Sequence, residues 1–268
     1  MTAALRKAFD QHRDERANEL FEIARILDQE GLSPDVAPIR QAAGQCRSAP
    51  RVAGADQPDS GRLYWGFEIA DLRINLEEQR HCRPRSAVMS DVSGILSVTV
   101  QEYVPGDESQ VGDSYTLLRR LDTDFFFDVF QIVGDVQHPL RAAWHLDTHL
   151  HTATATHGAH PRFHFQAGGE RLNEIDEQIR GVFMPETPRV ACAPLDAILA
   201  VDFVLAHYCG VHWSLLRDME PRYGRLRKNP MQRYWSPYFR ALAEGIDNLD
   251  AIPNGGTACT LIPNIFSD

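Results

Sequence analysis

Between residues 62 and 167, one strand-like segment follows another with no helical pattern between them. This constrains the fold more than any other feature of the chain. Parallel strands need a crossover of a dozen or more residues, usually a helix. Strands that follow each other directly pair antiparallel. Residues 63–67 and 72–76 carry short apolar or alternating patterns, and 95–104 repeats Leu96, Val98 and Val100 on one face before Pro105-Gly106-Asp107 breaks it. Residues 115–121 resume the series. The aromatic run at 125–132 reads as a buried strand, and His138-Pro139 precedes a strand over 141–151. Residues 162–167 close the series before Gly168-Gly169.

Helical patterns flank this stretch. In residues 3–30, Leu5, Phe9, Leu20, Phe21, Ala24 and Leu27 fall on one side of a helix that Gly31 and Pro34 end, and a shorter helix covers 36–46. Residues 48–61 hold four Gly or Pro residues and little apolar content, so they read as a loop. Beyond the sheet, Ile175 and Ile179 mark a helical turn, 194–208 is apolar nearly all round and therefore buried, and 213–223 and 238–249 add two more helices. The expectation is a single α+β domain over 1–268. It comprises an N-terminal helical segment (1–46), an antiparallel β-meander sheet (62–167) and C-terminal helices (171–250).

Bulk composition narrows the function classes. A net charge of −10 over 268 residues argues against a general nucleic-acid ligand or an anionic membrane surface, both of which need a basic field. The basic runs at 80–85 and 222–233 read as solvated surface. Lys7 and Lys228 are the only lysines, which disfavours Schiff-base chemistry, and no Walker-type phosphate loop is present. Five scattered cysteines without a Cys-x-x-Cys pair suggest reduced, buried thiols and a cytoplasmic location. No stretch reaches the roughly 18 apolar residues that span a bilayer. Trp213, Tyr234, Trp235, Tyr238 and Phe239 read as core packing or as a patch for a protein partner.

Six of the eleven histidines fall within residues 145–164. Side chains two apart share a strand face, so His145, Asp147, His149 and His151 lie together, opposite Trp144, Leu146, Thr148 and Leu150. Three imidazoles and a carboxylate are zinc-, iron- or manganese-type ligands. Same-face neighbours are about 6.5–7 Å apart, however, so at least one ligand must come from another element. The neighbouring strand supplies His164, provided its register turns that residue to the same face, as it does if His149 lies opposite His164. A one-residue slip would turn it away.

The candidate metal ligands are thus His145, His149, His151, His160 and His164, binding a divalent ion. Asp147, His149 and Arg162 are the catalytic candidates, with Arg162 placed to hold an anionic group of a small-molecule substrate. Asp122, Asp124 and Asp128 read as a solvated acidic edge, or as further carboxylates of the cluster if their strand neighbours 141–151. Three readings stay open: a metal-dependent hydrolase or redox site, metal-free acid–base work by the same histidines, and a non-catalytic interaction or adaptor surface.

Three resemblances attach to these residues. Asp147-Thr148-His149-Leu150-His151 resembles the alternating motif of the histidine-triad nucleotide hydrolases, with Asp147 where the first histidine would stand. His145-Leu146-Asp147 is similar in form to the His-x-Asp motif of iron(II) oxygenases. The order of helix, meander, His160-Pro161 and C-terminal helices resembles the ubiquitin-conjugating fold. The catalytic cysteine expected soon after that dipeptide is missing, so this resemblance implies an inactive relative or an adaptor.

Overall fold

The computed structural model describes residues 2–52, 63–76, 88–104, 118–133, 135–148, 163–168 and 190–247. Its centre is a seven-stranded sheet in which spatial order equals chain order and every neighbouring pair is antiparallel. The strands are β1 (Arg51–Val52), β2 (Leu63–Asn75), β3 (Val88–Tyr103), β4 (Leu118–Val133), β5 (Val136–Thr148), β6 (Phe163–Ala167) and β7 (Val190–Ala191). Helices α1 (Ala3–Gln29) and α2 (Ala37–Cys46) precede it. It is followed by α3 (Ala197–Tyr208), α4 (Gly210–Met219), α5 (Pro221–Pro230), a π-helical turn (Met231–Trp235) and α6 (Ser236–Asp247). The α+β meander with flanking helices is therefore present. No helix among the described residues is long and apolar enough to cross a membrane.

Several strands are longer than their sequence patterns suggest. The two segments at 63–67 and 72–76 form one strand, β2, whose register shifts between Ile69 and Leu72. Asp71 takes a left-handed conformation there (φ 54°), which a short polar side chain tolerates. Its amide donates to Ser97 Oγ at 3.1 Å. This bulge switches which alternate residues face the core, so an alternation count across it fails. Pro139 lies inside β5, opposite Phe130, rather than ahead of the strand. The expected helix over 213–223 breaks at Glu220, whose side chain accepts from the Arg222 amide as Pro221 opens α5. Proline suits that first-turn position because its missing N–H has no helical partner to lose. β7 has two residues and was not anticipated. The helical pattern at 175–179 lies outside the described residues.

One face of the sheet is apolar. Trp65, Phe67, Ile69, Leu72 and Ile74 of β2, Leu96, Val98 and Val100 of β3, Phe125 of β4, and Trp144 and Leu146 of β5 are buried together with the apolar sides of α1, α2 and α3. Each large side chain buried this way stabilises the fold by about 1.5–3 kcal/mol. The Phe125 ring lies 5.2 Å from Trp144 and 5.3 Å from Tyr208, stacked on both. Gly94 admits this ring, because a Cβ there would come within 2.2 Å of it. Trp144 Nε1 donates to Tyr208 Oη at 3.1 Å, which anchors β5 to α3 one residue before His145.

Charged groups are also buried on the helical side of the sheet. Arg16 of α1 donates to Asp196 at 2.6 Å and to Glu19 at 3.0 Å. Asp196 also caps α3 by accepting from the Ile198 and Leu199 amides. Glu102 of β3, with no exposed side-chain surface, accepts from Tyr234 Oη at 2.8 Å and meets His12 Nε2 at 2.9 Å. Glu19 accepts from Asn229 and Arg233, each at 2.9 Å. The π-helical turn thus directs Arg233 and Tyr234 into the same network.

Candidate metal centre

The opposite face of the sheet is polar, and at its β4–β5–β6 end it carries the histidine cluster. The β5–β6 register pairs Asp147 with His164 and His145 with Gln166. His164 therefore falls on the face of His145 and Asp147, away from Trp144 and Leu146. The pairing is two residues from the one that sets His149 opposite His164, and a shift of two preserves the face.

His145 Nε2 lies 3.3 Å from Asp147 Oδ1, and His164 Nε2 lies 3.6 Å from the same oxygen. The two rings are 5.8 Å apart and nearly perpendicular. Among the described residues, these three alone bring ligand atoms of three side chains within 4.8 Å of one another, and the cluster can hold a metal ion. Exposure decreases inward, from 31% at the Asp147 side chain through 15% at His145 to 0% at His164.

A main-chain carbonyl orients one of the two histidines. His145 Nδ1 faces the carbonyl oxygen of Gly168 at 3.4 Å. A carbonyl only accepts, so Nδ1 is the donor in this contact, and in the neutral ring Nε2 is then the acceptor that faces Asp147. Main-chain carbonyls commonly orient metal-binding histidines in this way. Gly168 has φ 102°, a conformation that favours glycine, and its amide donates to Ala143 O at 2.8 Å. In the sequence, Gly168-Gly169 marks only the end of the strand series. A glycine directly after a strand that bears a ligand histidine was the available signal.

His149, His151, His160 and Arg162 lie outside the described residues, as does the basic run at 80–85. The carboxylates of β4 do not form a solvated edge, because β4 lies inside the sheet beside β5. Asp124 stands opposite His145 and Asp128 opposite Arg141. Asp128 meets Arg141 at 2.9 Å and Arg73 at 3.3 Å, while Asp122 accepts from the Thr148 amide at 3.1 Å. The basic run at 222–233 is not simply solvated either. Arg227 meets Asp202 at 2.8 Å, and Arg233 meets Glu19.

The remaining candidates are structural. Burial pushes the Cys46 thiol up to about 12 and also raises that of Cys192, which makes both poor nucleophiles. Cys209 is buried and donates to Asn75 O at 3.3 Å. His207 is exposed, and its Nδ1 pairs with Phe203 O at 2.8 Å. Trp213 and Trp235 donate to Asp202 and Pro194 O, and Tyr234 and Tyr238 are buried. Of that aromatic stretch, Phe239 is half-exposed.

Comparison of the chain with protein-family models, with curated proteins and with solved structures gives no match.

Proposed function

We propose that His145, Asp147 and His164 bind a divalent transition metal, and that the protein uses it to activate water for hydrolysis. The convergence of two imidazole nitrogens on one carboxylate oxygen carries this reading. With Nδ1 of His145 protonated, its Nε2 lone pair and Asp147 Oδ1 face each other at 3.3 Å and repel unless a cation lies between them. The spacing favours zinc. Bonds of about 2.0–2.1 Å at tetrahedral angles separate ligand atoms by about 3.3–3.4 Å, against about 2.9 Å for adjacent octahedral ligands. The 3.3 and 3.6 Å separations lie on the tetrahedral side. Three protein ligands and an open fourth position are the arrangement of catalytic zinc, which lowers the pKa of bound water toward neutrality.

Elemental analysis of protein prepared without a histidine tag tests this reading. The expected result is about one zinc per chain and a melting temperature that rises on adding the metal, with both lost in His164→Ala. Metal-free protein with no thermal response to Zn²⁺, Mn²⁺ or Fe²⁺ would overturn it. In that case a proton would take the cation's place. The 3.3 Å separation also suits a His145–Asp147 ion pair, and that second reading makes the two residues a metal-free acid–base pair.

A further inference from the structure

In a chain of net charge −10, residues 221–235 carry five cations and no carboxylate. This stretch forms α5 and the π-helical turn, and with α1 it walls a groove of about 890 Å³. That volume lies within the range of small-molecule sites. The α1 wall contributes Glu15, Glu19 and Glu22, and the α5 wall contributes Arg222, Arg225 and Lys228. Two of the three carboxylates are already neutralised. Glu19 is held by Arg16 and Arg233, and Glu22 accepts from Arg25 at 2.7 and 3.1 Å. Arg222 meets Glu22 at 3.6 Å, a looser contact that Glu22 does not depend on. Arg225 and Lys228 are exposed and form no ion pair among the described residues. They stand one turn apart, where Cβ atoms are about 5–6 Å from each other, so both reach one ligand group.

We propose that this groove binds a phosphate monoester bearing hydroxyl groups: Arg225 and Lys228 hold the phosphate, Arg222 joins them, and Glu15 on the facing wall accepts from a hydroxyl. A phosphate monoester carries close to two negative charges at neutral pH and three acceptor oxygens, which matches several cations better than one carboxylate would. Glu15 supplies the second half of the selection. Its side chain accepts from Gln11 at 3.0 Å and forms no ion pair among the described residues, so it retains acceptor capacity. Its charge also disfavours a second anionic group on the ligand. A polyanion such as nucleic acid would meet that acidic wall as well as the negative field of the whole chain. The π-helical turn completes the groove, with Gln232 and Arg233 both lining it. Such turns recur at functional sites. The proposal is independent of the metal centre, which lies on the other face of the sheet.

The test is calorimetric titration of the full chain in EDTA, which keeps metal out of the histidine cluster, with glucose phosphate, inorganic phosphate and glucose as probes. Glucose phosphate is expected to saturate one site, inorganic phosphate to bind there about tenfold more weakly, and glucose not to bind. Arg225→Gln and Lys228→Gln should each weaken glucose phosphate by about tenfold, the loss of one charge-assisted hydrogen bond at an exposed position. Unfolding curves should not move, because both side chains lie on the surface. Either variant suffices if the other fails to fold. Glu15→Gln should narrow the preference for glucose phosphate over inorganic phosphate. Absence of saturable binding overturns the proposal, as does binding that both charge variants leave unchanged. Tighter binding of a polyglutamate peptide or an oligonucleotide, lost in the same variants, overturns it in favour of a macromolecular partner.

Discussion

The buried network around Arg16 and the cluster around Asp147 lie on opposite sides of one sheet and draw on the same residue types, yet their distances differ in kind. Within the network, carboxylates meet donors at hydrogen-bonding range: Arg16 to Asp196 at 2.6 Å, Tyr234 to Glu102 at 2.8 Å, Arg233 to Glu19 at 2.9 Å. In the cluster, two imidazole nitrogens approach one carboxylate oxygen at 3.3 and 3.6 Å, beyond hydrogen-bonding range for the second. The network supplies its own cations from α1 and the π-helical turn, so it works as structure. The cluster can hold a metal ion, and under the proposed reading its cation comes from outside the chain. Burial does not distinguish the two, since His164 is as deeply buried as Asp196.

Breaking the network should have the largest effect. Arg16→Leu leaves Asp196 and Glu19 buried without their guanidinium, and loss of one partner of a buried pair costs about 3–5 kcal/mol. A urea unfolding curve should show that loss. An equally stable variant would mean that Arg233 alone neutralises both carboxylates.

Acid titration separates two glutamates of the same network. Burial raises the Glu102 carboxyl, but His12, Arg16 and the Tyr234 hydroxyl outweigh that and hold it below its ordinary value of 4.5. Its contribution to stability is therefore present above pH 4.5 and lost as pH falls through the lowered folded value. Burial, reinforced by Asp196, raises the Glu19 carboxyl despite Arg16, so its sign is opposite. That contribution is present below pH 4.5 and lost as pH rises through the raised value. Glu102→Gln should thus cost more stability at pH 7 than at pH 3. Glu19→Gln should cost little at pH 7 and reduce the decline of stability above pH 4.5. Unfolding free energies measured across pH 3–7 test both.

The smallest change in stability is expected at the site. Asp147→Asn in metal-free protein should alter unfolding by less than about 1 kcal/mol, since the Asp147 side chain is partly exposed and contacts between partly exposed charges contribute little. The same substitution should abolish the rise in melting temperature with Zn²⁺. A large loss of stability without metal would place Asp147 with the structural network and erase the contrast between the two regions.

Much of the fold was legible in the chain because meander strands show local alternation and have no intervening helices. The faces of Trp144, Leu146, His145 and Asp147 follow from parity alone. What parity cannot supply is the pairing between strands, so His164 was undecided until the register placed it opposite Asp147. The bulge at Asp71 was hidden because one inserted residue makes a single long strand look like two short ones. The Arg16 network was invisible for a different reason. His12, Arg16 and Glu19 fall among ordinary charged residues of α1, and their partners lie 90 or more positions away for Glu102 and Asp196. Nothing local distinguishes a buried arginine from a solvated one.

The Gly168 carbonyl gives the site a dependence that no side chain carries. The oxygen that faces His145 Nδ1 belongs to the main chain, and it lies at a residue without a Cβ whose backbone turns through φ 102°. Any other residue at this position would favour rotating the peptide and swinging that oxygen away. The ring could then hold its hydrogen on Nε2, the nitrogen proposed to bind the metal. Under the proposed metal reading, a lineage could keep both histidines and the aspartate and still lose the centre through one change at a glycine that has no side chain of its own.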